Sequence, residues 1–213
     1  MEKNNPLYRE QGIHVITPIF TVEKGITKVL LVKRKNEPYK DMWALVGGAL
    51  YNNEELECGA KREIFEKVGI KDINLYFSNV FSKVDRSPVM RMIAVSYIGV
   101  IDINKVSVMK ETLKTSNAEW FTIDNVPQLA YDHNDILSSA LKSLREKIEN
   151  TDILVSLFPN GFTMPEIQKT YESILDIKLD RRNFRKKLLM ASIIEETNQT
   201  VKQENVKTTK LGL

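Results

Sequence analysis

The 23 residues from Gly48 to Ile70, GALYNNEELECGAKREIFEKVGI, constrain this chain more than any other stretch. Leu56, Ala60, Ile64 and Val68 recur at i, i+4, so Glu54 to Val68 reads as one amphipathic helix. On that helix Glu63, Glu66 and position 67 stand at i, i+3 and i+4 and project from one face. Carboxylates at that spacing hold a hard cation such as Mg²⁺ through oxygens. The ion in turn bridges pyrophosphate oxygens and lowers the pKa of a bound water. Gly48 lets the backbone pass close to phosphates, and Arg62 orients Glu63 together with Glu54. The competing reading is a surface helix with solvated glutamates. The spacing of the glycines and of Arg62 argues against it.

Around this stretch the chain shows two regimes. Short apolar runs rich in β-branched residues, Val15 to Val22, Thr27 to Val32, Leu75 to Val84 and Met92 to Ile101, predict strands separated by Gly, Asn and Asp turns. A second helix, about Asp132 to Glu149, carries Ile136, Leu137, Ala140, Leu141, Leu144 and Ile148 on one stripe. Its charged end stops at Asn150-Thr151-Asp152, the expected boundary between a domain of residues 1–150 and one of 151–213. The chain has 213 residues, 42% hydrophobic and 28% charged, enough for a real core and ordinary for a soluble protein. A net charge of +3 does not by itself imply nucleic acid, so its distribution matters more. The single cysteine, Cys58, excludes an internal disulfide and reads as a small core or boundary residue. No run approaches a membrane span and the polar start lacks a leader, so a cytoplasmic location with no membrane partner is expected.

The stretch Gly48 to Ile70 resembles the Nudix box, G-x5-E-x7-R-E-U-x-E-E-x-G-U with U aliphatic. It matches at Gly48, Glu54, Arg62, Glu63, Ile64, Glu66, Gly69 and Ile70. The resemblance implies an α/β domain, a Nudix-type α/β/α sandwich with a mixed sheet. It also implies Glu63 and Glu66 as the catalytic, metal-binding carboxylates and Mg²⁺ as cofactor. One departure stands against it: the second of the paired glutamates is Lys67. An ammonium there pairs with Glu63 and repels a dication, leaving two carboxylates for weak metal binding. Glu111 and Glu119 are candidates to supply a replacement. Val84-Asp-Arg86-Ser-Pro88 with Arg91 to Tyr97, Ala118 to Phe121, and Leu129 to His133 are similar to segments of Nudix proteins acting on ADP-ribose. Arg86 and Arg91 would then join Gly48 and Arg62 in holding a ligand's phosphates. The alternative for those two is an exposed loop arginine and a strand-edge arginine. Asp132 and His133 read as a helix-capping pair. Trp43 packs beneath the turn into the box, with stacking against a base as the alternative.

The pattern changes after Leu154. Thr163 as N-cap, Glu166 as its reciprocal N3 partner, Pro165 in the first turn and Phe162 beside Ile167 mark a helix running to about Leu175. Asp180 caps another, Arg181 to Ala191, with Phe184, Leu188 and Ala191 on one face and Arg181, Arg182, Arg185 and Lys186 on another. From Lys178 to Lys187 there are six basic residues and one acid, a local net of +5. Ser192 to Glu195 predicts a strand, Thr197 to Thr209 a polar hairpin with Lys202 and Lys207, and Lys210 to Leu213 its return. Helix, turn, basic helix and wing make a winged helix-turn-helix, whose second helix enters the major groove. Its basic residues would meet phosphates and guanine edges, and Asn183 adenine. The alternative is a solvated basic face.

Phe162 to Leu175 and Leu179 to Lys186 resemble the C-terminal domain of Nudix-related transcriptional regulators, those of NAD metabolism and of arabinose use. The resemblance implies a homodimer that binds operator DNA. Its degraded Nudix domain would sense a small molecule, ADP-ribose, an NAD-related nucleotide or a sugar. The runner-up is a Mg²⁺-dependent ADP-ribose pyrophosphatase with an accessory domain, which retention of Glu63 and Glu66 supports.

Overall fold

The computed structural model describes residues 10–149, 151–201 and 206–211. Eight strands form one mixed sheet: β1 (Gly12–Thr17), β2 (Ile19–Glu23), β3 (Ile26–Arg34), β4 (Trp43–Ala44), β5 (Val46–Ala49), β6 (Asn74–Phe81), β7 (Met92–Val100) and β8 (Thr115–Thr122). The path runs β4-β3-β2-β7-β1-β5, with β6 on β7 and β8 on β3. β1 and β2 both pair in parallel with β7, and the other ladders are antiparallel. The single strand expected from Val15 to Val22 is therefore two. Pro18 lies between them and has no N–H to give a ladder, although its carbonyl accepts from Gly99 N–H at 3.0 Å. β8 carries no clean alternation, and its sequence does not mark it as a strand.

Alternation along β3 divides the core into two layers. Val29 and Leu31 face helix α2 (His133–Lys147), joined by Ile136, Leu137, Ala140 and Leu144. Leu30 and Val32 face helix α1 (Leu56–Val68), joined by Ile64 and Val68. Period 2 in the strand meets period 3.6 in the helices, which gives the expected α/β/α sandwich. α1 starts at Leu56, so Glu54 lies in the turn before it. It ends at Gly69, whose φ of 75° places its N–H on Phe65 O at 2.9 Å. Cys58 is exposed, not a core residue, because it sits on the face opposite Ala60 and Ile64.

Helix α3 (Thr151–Leu157) follows at once, where the charge pattern predicts a break. Ile148, Ile153, Leu154 and Leu157 are buried, so one apolar cluster continues into the C-terminal part. There β9 (Phe162–Thr163), α4 (Met164–Leu175), α5 (Arg181–Met190), β10 (Ile194–Val201) and β11 (Val206–Leu211) form a winged helix-turn-helix. The capping box at the start of α4 is formed in both directions, Glu166 N–H to Thr163 Oγ1 at 3.3 Å and Thr163 N–H to Glu166 Oε2 at 2.6 Å. The wing is longer than expected: β10 and β11 pair from Ile194↔Leu211 to Val201↔Val206, and β9 adds a third strand through Thr208↔Thr163. Lys202 lies outside the described residues. Ala191 caps α5 and is exposed, so the buried side chains of that helix are Phe184 and Leu188.

Candidate functional site

The box helix delivers Glu63 and Lys67 to a cavity of about 270 Å³ between β1, β3, β5 and the start of α2. Arg62 organises the carboxylates. Its Nε and Nη2 donate to the two oxygens of Glu54 at 2.9 and 2.6 Å, and Nη1 donates to Glu63 Oε1 at 2.6 Å. Nη2 also reaches the carbonyl of Ala49 at 2.8 Å, and the guanidinium lies over Tyr51, 3.8 Å from the ring centroid. These bonds hold the Glu54 carboxyl down at about 2. Burial opposes ionisation of Glu63, but Lys67, Arg62 and Lys114 outweigh it and keep the carboxyl below the ordinary range. Gly48 leaves room for the Glu63 carboxyl: a Cβ there would stand 2.3 Å from it and push it aside.

Two ammonium groups occupy the face where a cation would sit. Lys67 Nζ donates to the Gly47 carbonyl and stands 3.7 Å from Glu63 Oε2. Lys114, which the sequence reading missed, donates to Glu63 Oε1 at 3.1 Å and Glu66 Oε2 at 2.6 Å. Glu63 Oε2 is buried without a hydrogen-bond donor and would be the natural first ligand of a metal. Both Glu54 oxygens, Glu63 Oε1 and Glu66 Oε2 already accept from Arg62 or Lys114, and Glu54, Glu63 and Glu66 are balanced by Arg62, Lys67 and Lys114. The residues present do not fit Mg²⁺. Nor do the proposed replacements help. Glu111 is exposed and pairs with Lys35 at 3.0 Å, while exposed Glu119 accepts from Asn117, and neither lines the cavity.

The opposite wall is basic and aromatic: Arg34, Arg86, Tyr131, His14 and His133. Arg86 is buried and donates from Nε and Nη2 to the two oxygens of Asp132 at 2.9 and 2.7 Å. Asp132 therefore does not cap α2 with its side chain, as the sequence had suggested. Its carboxylate serves Arg86, and a bidentate guanidinium outcompetes a backbone N–H for it. His133 is no cap either: its Nδ1 accepts the Leu45 N–H at 3.0 Å, so the neutral ring carries its proton on Nε2. Burial pushes its pKa to about 3, with Lys67 and Arg86 adding to the effect. Burial likewise brings His14 to about 4, with Arg86 and Lys67 contributing. Arg34 donates to the carbonyls of Pro38 and Asn36 and lies 5.0 Å from the Tyr131 ring centroid. Arg91 does not line the cavity; it donates to the carbonyls of Ser82 and Lys83 at 2.8 and 3.0 Å. Trp43 packs edge-on against Phe121 at 4.9 Å rather than against the cavity.

The second candidate surface is α5. Asp180 Oδ1 accepts from Asn183 N–H at 2.9 Å and starts the helix. Phe184 and Leu188 bury their side chains, Phe184 against Tyr171 of α4 at 5.0 Å. That fixes the rotation of α5, and Arg181, Arg182, Asn183, Arg185 and Lys186 all face outward and are exposed.

Fold and sites together define a sensor-like Nudix domain joined to a DNA-binding winged helix. The NUDIX domain model matches residues 12–141, and the NrtR DNA-binding winged helix domain model matches residues 154–211. The chain belongs to the family of Nudix-related transcriptional regulators with this NrtR-type winged helix. A relative in Acinetobacter baylyi, the ADPR responsive transcriptional repressor NtrR, is 32% identical over 186 residues, 85% of this chain and 74% of its own. An ADP-ribose pyrophosphatase of Methanocaldococcus jannaschii is 34% identical over 121 residues, 57% of this chain and 69% of its own. The crystal structure of Shewanella oneidensis NrtR shares the fold, with a TM-score of 0.77 at 23% identity over 94% of each chain. Among the described residues no helix is long and apolar enough to cross a membrane.

Proposed function

We propose that this protein is a transcriptional regulator whose Nudix domain, residues 1–150, takes a nucleotide of the ADP-ribose class. Its winged helix, 151–213, would bind operator DNA through Arg181, Arg182, Asn183, Arg185 and Lys186. Gly48, Arg62 and Arg86 serve the ligand end; Arg91 acts only by bracing the loop beside it. The observation that carries the reading is the course of α2. This helix of 15 residues, about 22 Å long, starts at His133 in the cavity wall and ends against α4 of the winged domain. Near its end Arg145 Nε donates to the Ile174 carbonyl of α4 at 2.8 Å, and Tyr171 Oη donates to the Ile148 carbonyl at 3.4 Å. Just beyond, Glu149 accepts from Lys187 of α5 at 2.5 Å. A ligand that favours one placement of α2 thereby favours one placement of the recognition helix, which is what linkage between two sites requires.

The ADPR-responsive relative supports the effector class, and the pyrophosphatase relative together with the retained Glu54, Arg62, Glu63 and Glu66 supports a second reading as a hydrolase. The two lysines on those carboxylates favour sensing over turnover. A thermal-shift screen with ADP-ribose, NAD and pentoses tests the effector class. A selective rise with ADP-ribose is expected, and a shift with pentoses alone would contradict it.

A further inference from the structure

We infer that Lys67 and Lys114 form a built-in cation pair that holds the diphosphate of the ligand directly, so that binding needs no metal ion. The inference deepens the proposed function and rests on it for the identity of the ligand, though not for the chemistry of the site. Lys114 Nζ bonds one oxygen of Glu63 and one of Glu66, at 3.1 and 2.6 Å, the bridging position a cation would take between two carboxylates. Lys67 Nζ, 3.7 Å from the remaining Glu63 oxygen, supplies the charge beside it. Both lysines line the cavity, and Glu63 is the single acid among its lining residues.

The two lysines are not equivalent. Lys67 is fixed: it is largely buried and tied to the Gly47 carbonyl of β5. The Lys114 side chain is 40% exposed and comes from the loop before β8, so its ammonium can turn from the carboxylates to an entering anion. Arg34 adds a guanidinium to the same cavity from the opposite wall, and among the described residues no carboxylate pairs with it. A diphosphate placed here meets cations already in position, whereas a Mg²⁺–diphosphate complex meets two ammonium groups first.

Isothermal titration of the full-length protein with ADP-ribose and, separately, with inorganic pyrophosphate tests this, each in EDTA and in millimolar Mg²⁺. Equal affinity in the two buffers is expected for both probes. Lys114→Ala should weaken both by about tenfold or more, with Lys114→Arg restoring most of the loss. Because Lys114 is half exposed, the alanine variant should keep the melting temperature of the parent. The double variant Lys67→Glu, Lys114→Ala should bind either probe only with Mg²⁺. Loss of wild-type binding in EDTA, or an unchanged affinity in Lys114→Ala, overturns the inference. If pyrophosphate binds as described and ADP-ribose does not, the inference stands and the effector class is wrong. If neither binds, both are wrong.

Discussion

Arg86 and Asp132 are locked together by two hydrogen bonds of 2.9 and 2.7 Å, and Asp132 is the residue from which α2 departs. The pair thus joins the cavity wall to the helix that reaches the winged domain. Arg86 is buried, so removing its partner leaves a guanidinium without compensation. Asp132→Ala should cost about 3 kcal/mol of stability and should also weaken the effect of ADP-ribose on DNA affinity. Urea denaturation gives the first quantity and DNA titration with and without ligand the second. An unchanged midpoint would show that the pair does not brace α2.

Acid should destabilise the protein in a window that belongs to its two histidines. Unfolded imidazoles titrate near 6.5, whereas burial lowers His133 to about 3 and His14 to about 4. The unfolded chain therefore binds more protons between those values and 6.5. Their stabilisation is complete above about pH 6.5 and falls as pH drops, by up to ~1.4 kcal/mol per pH unit for each. Denaturation curves at pH 7, 6 and 5 should show this slope, and His133→Asn should roughly halve it. A flat profile would mean that His133 is not held neutral.

Much of this site is legible in the sequence because its parts lie on one helix. The shared face of Glu63, Glu66 and Lys67 follows from helical periodicity, while the pairing of Arg62 with Glu54, in the turn before the helix, and the intrusion of Lys67 follow from the resemblance to the box. Periodicity also gives the outward face of α5, since Phe184 and Leu188 four residues apart fix its rotation. Lys114 is illegible for the opposite reason. It reaches Glu66 from a loop 48 residues away that carries no periodic signal, and only the β3–β8 ladder brings it there. The Arg86–Asp132 pair is hidden likewise, being a contact across the fold rather than along an element. The charged helix end at Glu149 reads as a domain boundary, yet that glutamate is partner to Lys187.

Turnover should be weak or absent. With Mg²⁺ the wild type is expected to hydrolyse ADP-ribose little, and Lys67→Glu alone should restore less than expected from the box, because Lys114 still occupies the carboxylates. Release of AMP and ribose 5-phosphate is the measurement. Robust wild-type turnover, abolished by Glu63→Gln, would promote the hydrolase reading to first place.

A regulator with one recognition helix per chain reads two half-sites as a pair, and a homodimer through the Nudix domains is the proposed assembly. Phe77 and Val80 of β6, with Val84, Val89 and Met90 beyond it, expose apolar side chains suited to that contact. Light scattering should give a dimer mass, and Phe77→Glu with Val80→Glu should lower it. A wild type that is strictly monomeric would count against the regulator.

The central claim is that ligand binding in the Nudix cavity governs DNA binding by α5. Titration of labelled DNA from upstream of the protein's own operon, with and without ADP-ribose and at two salt concentrations, tests it most directly. Wild type should bind this DNA specifically, with an affinity that ADP-ribose changes by about fivefold or more. Arg181→Ala with Arg185→Ala should abolish specific binding and reduce the salt slope by about one unit per lost phosphate contact, while ADP-ribose binding stays intact. Equal DNA binding by wild type and variant, or a DNA affinity that ADP-ribose leaves unchanged, would contradict the account.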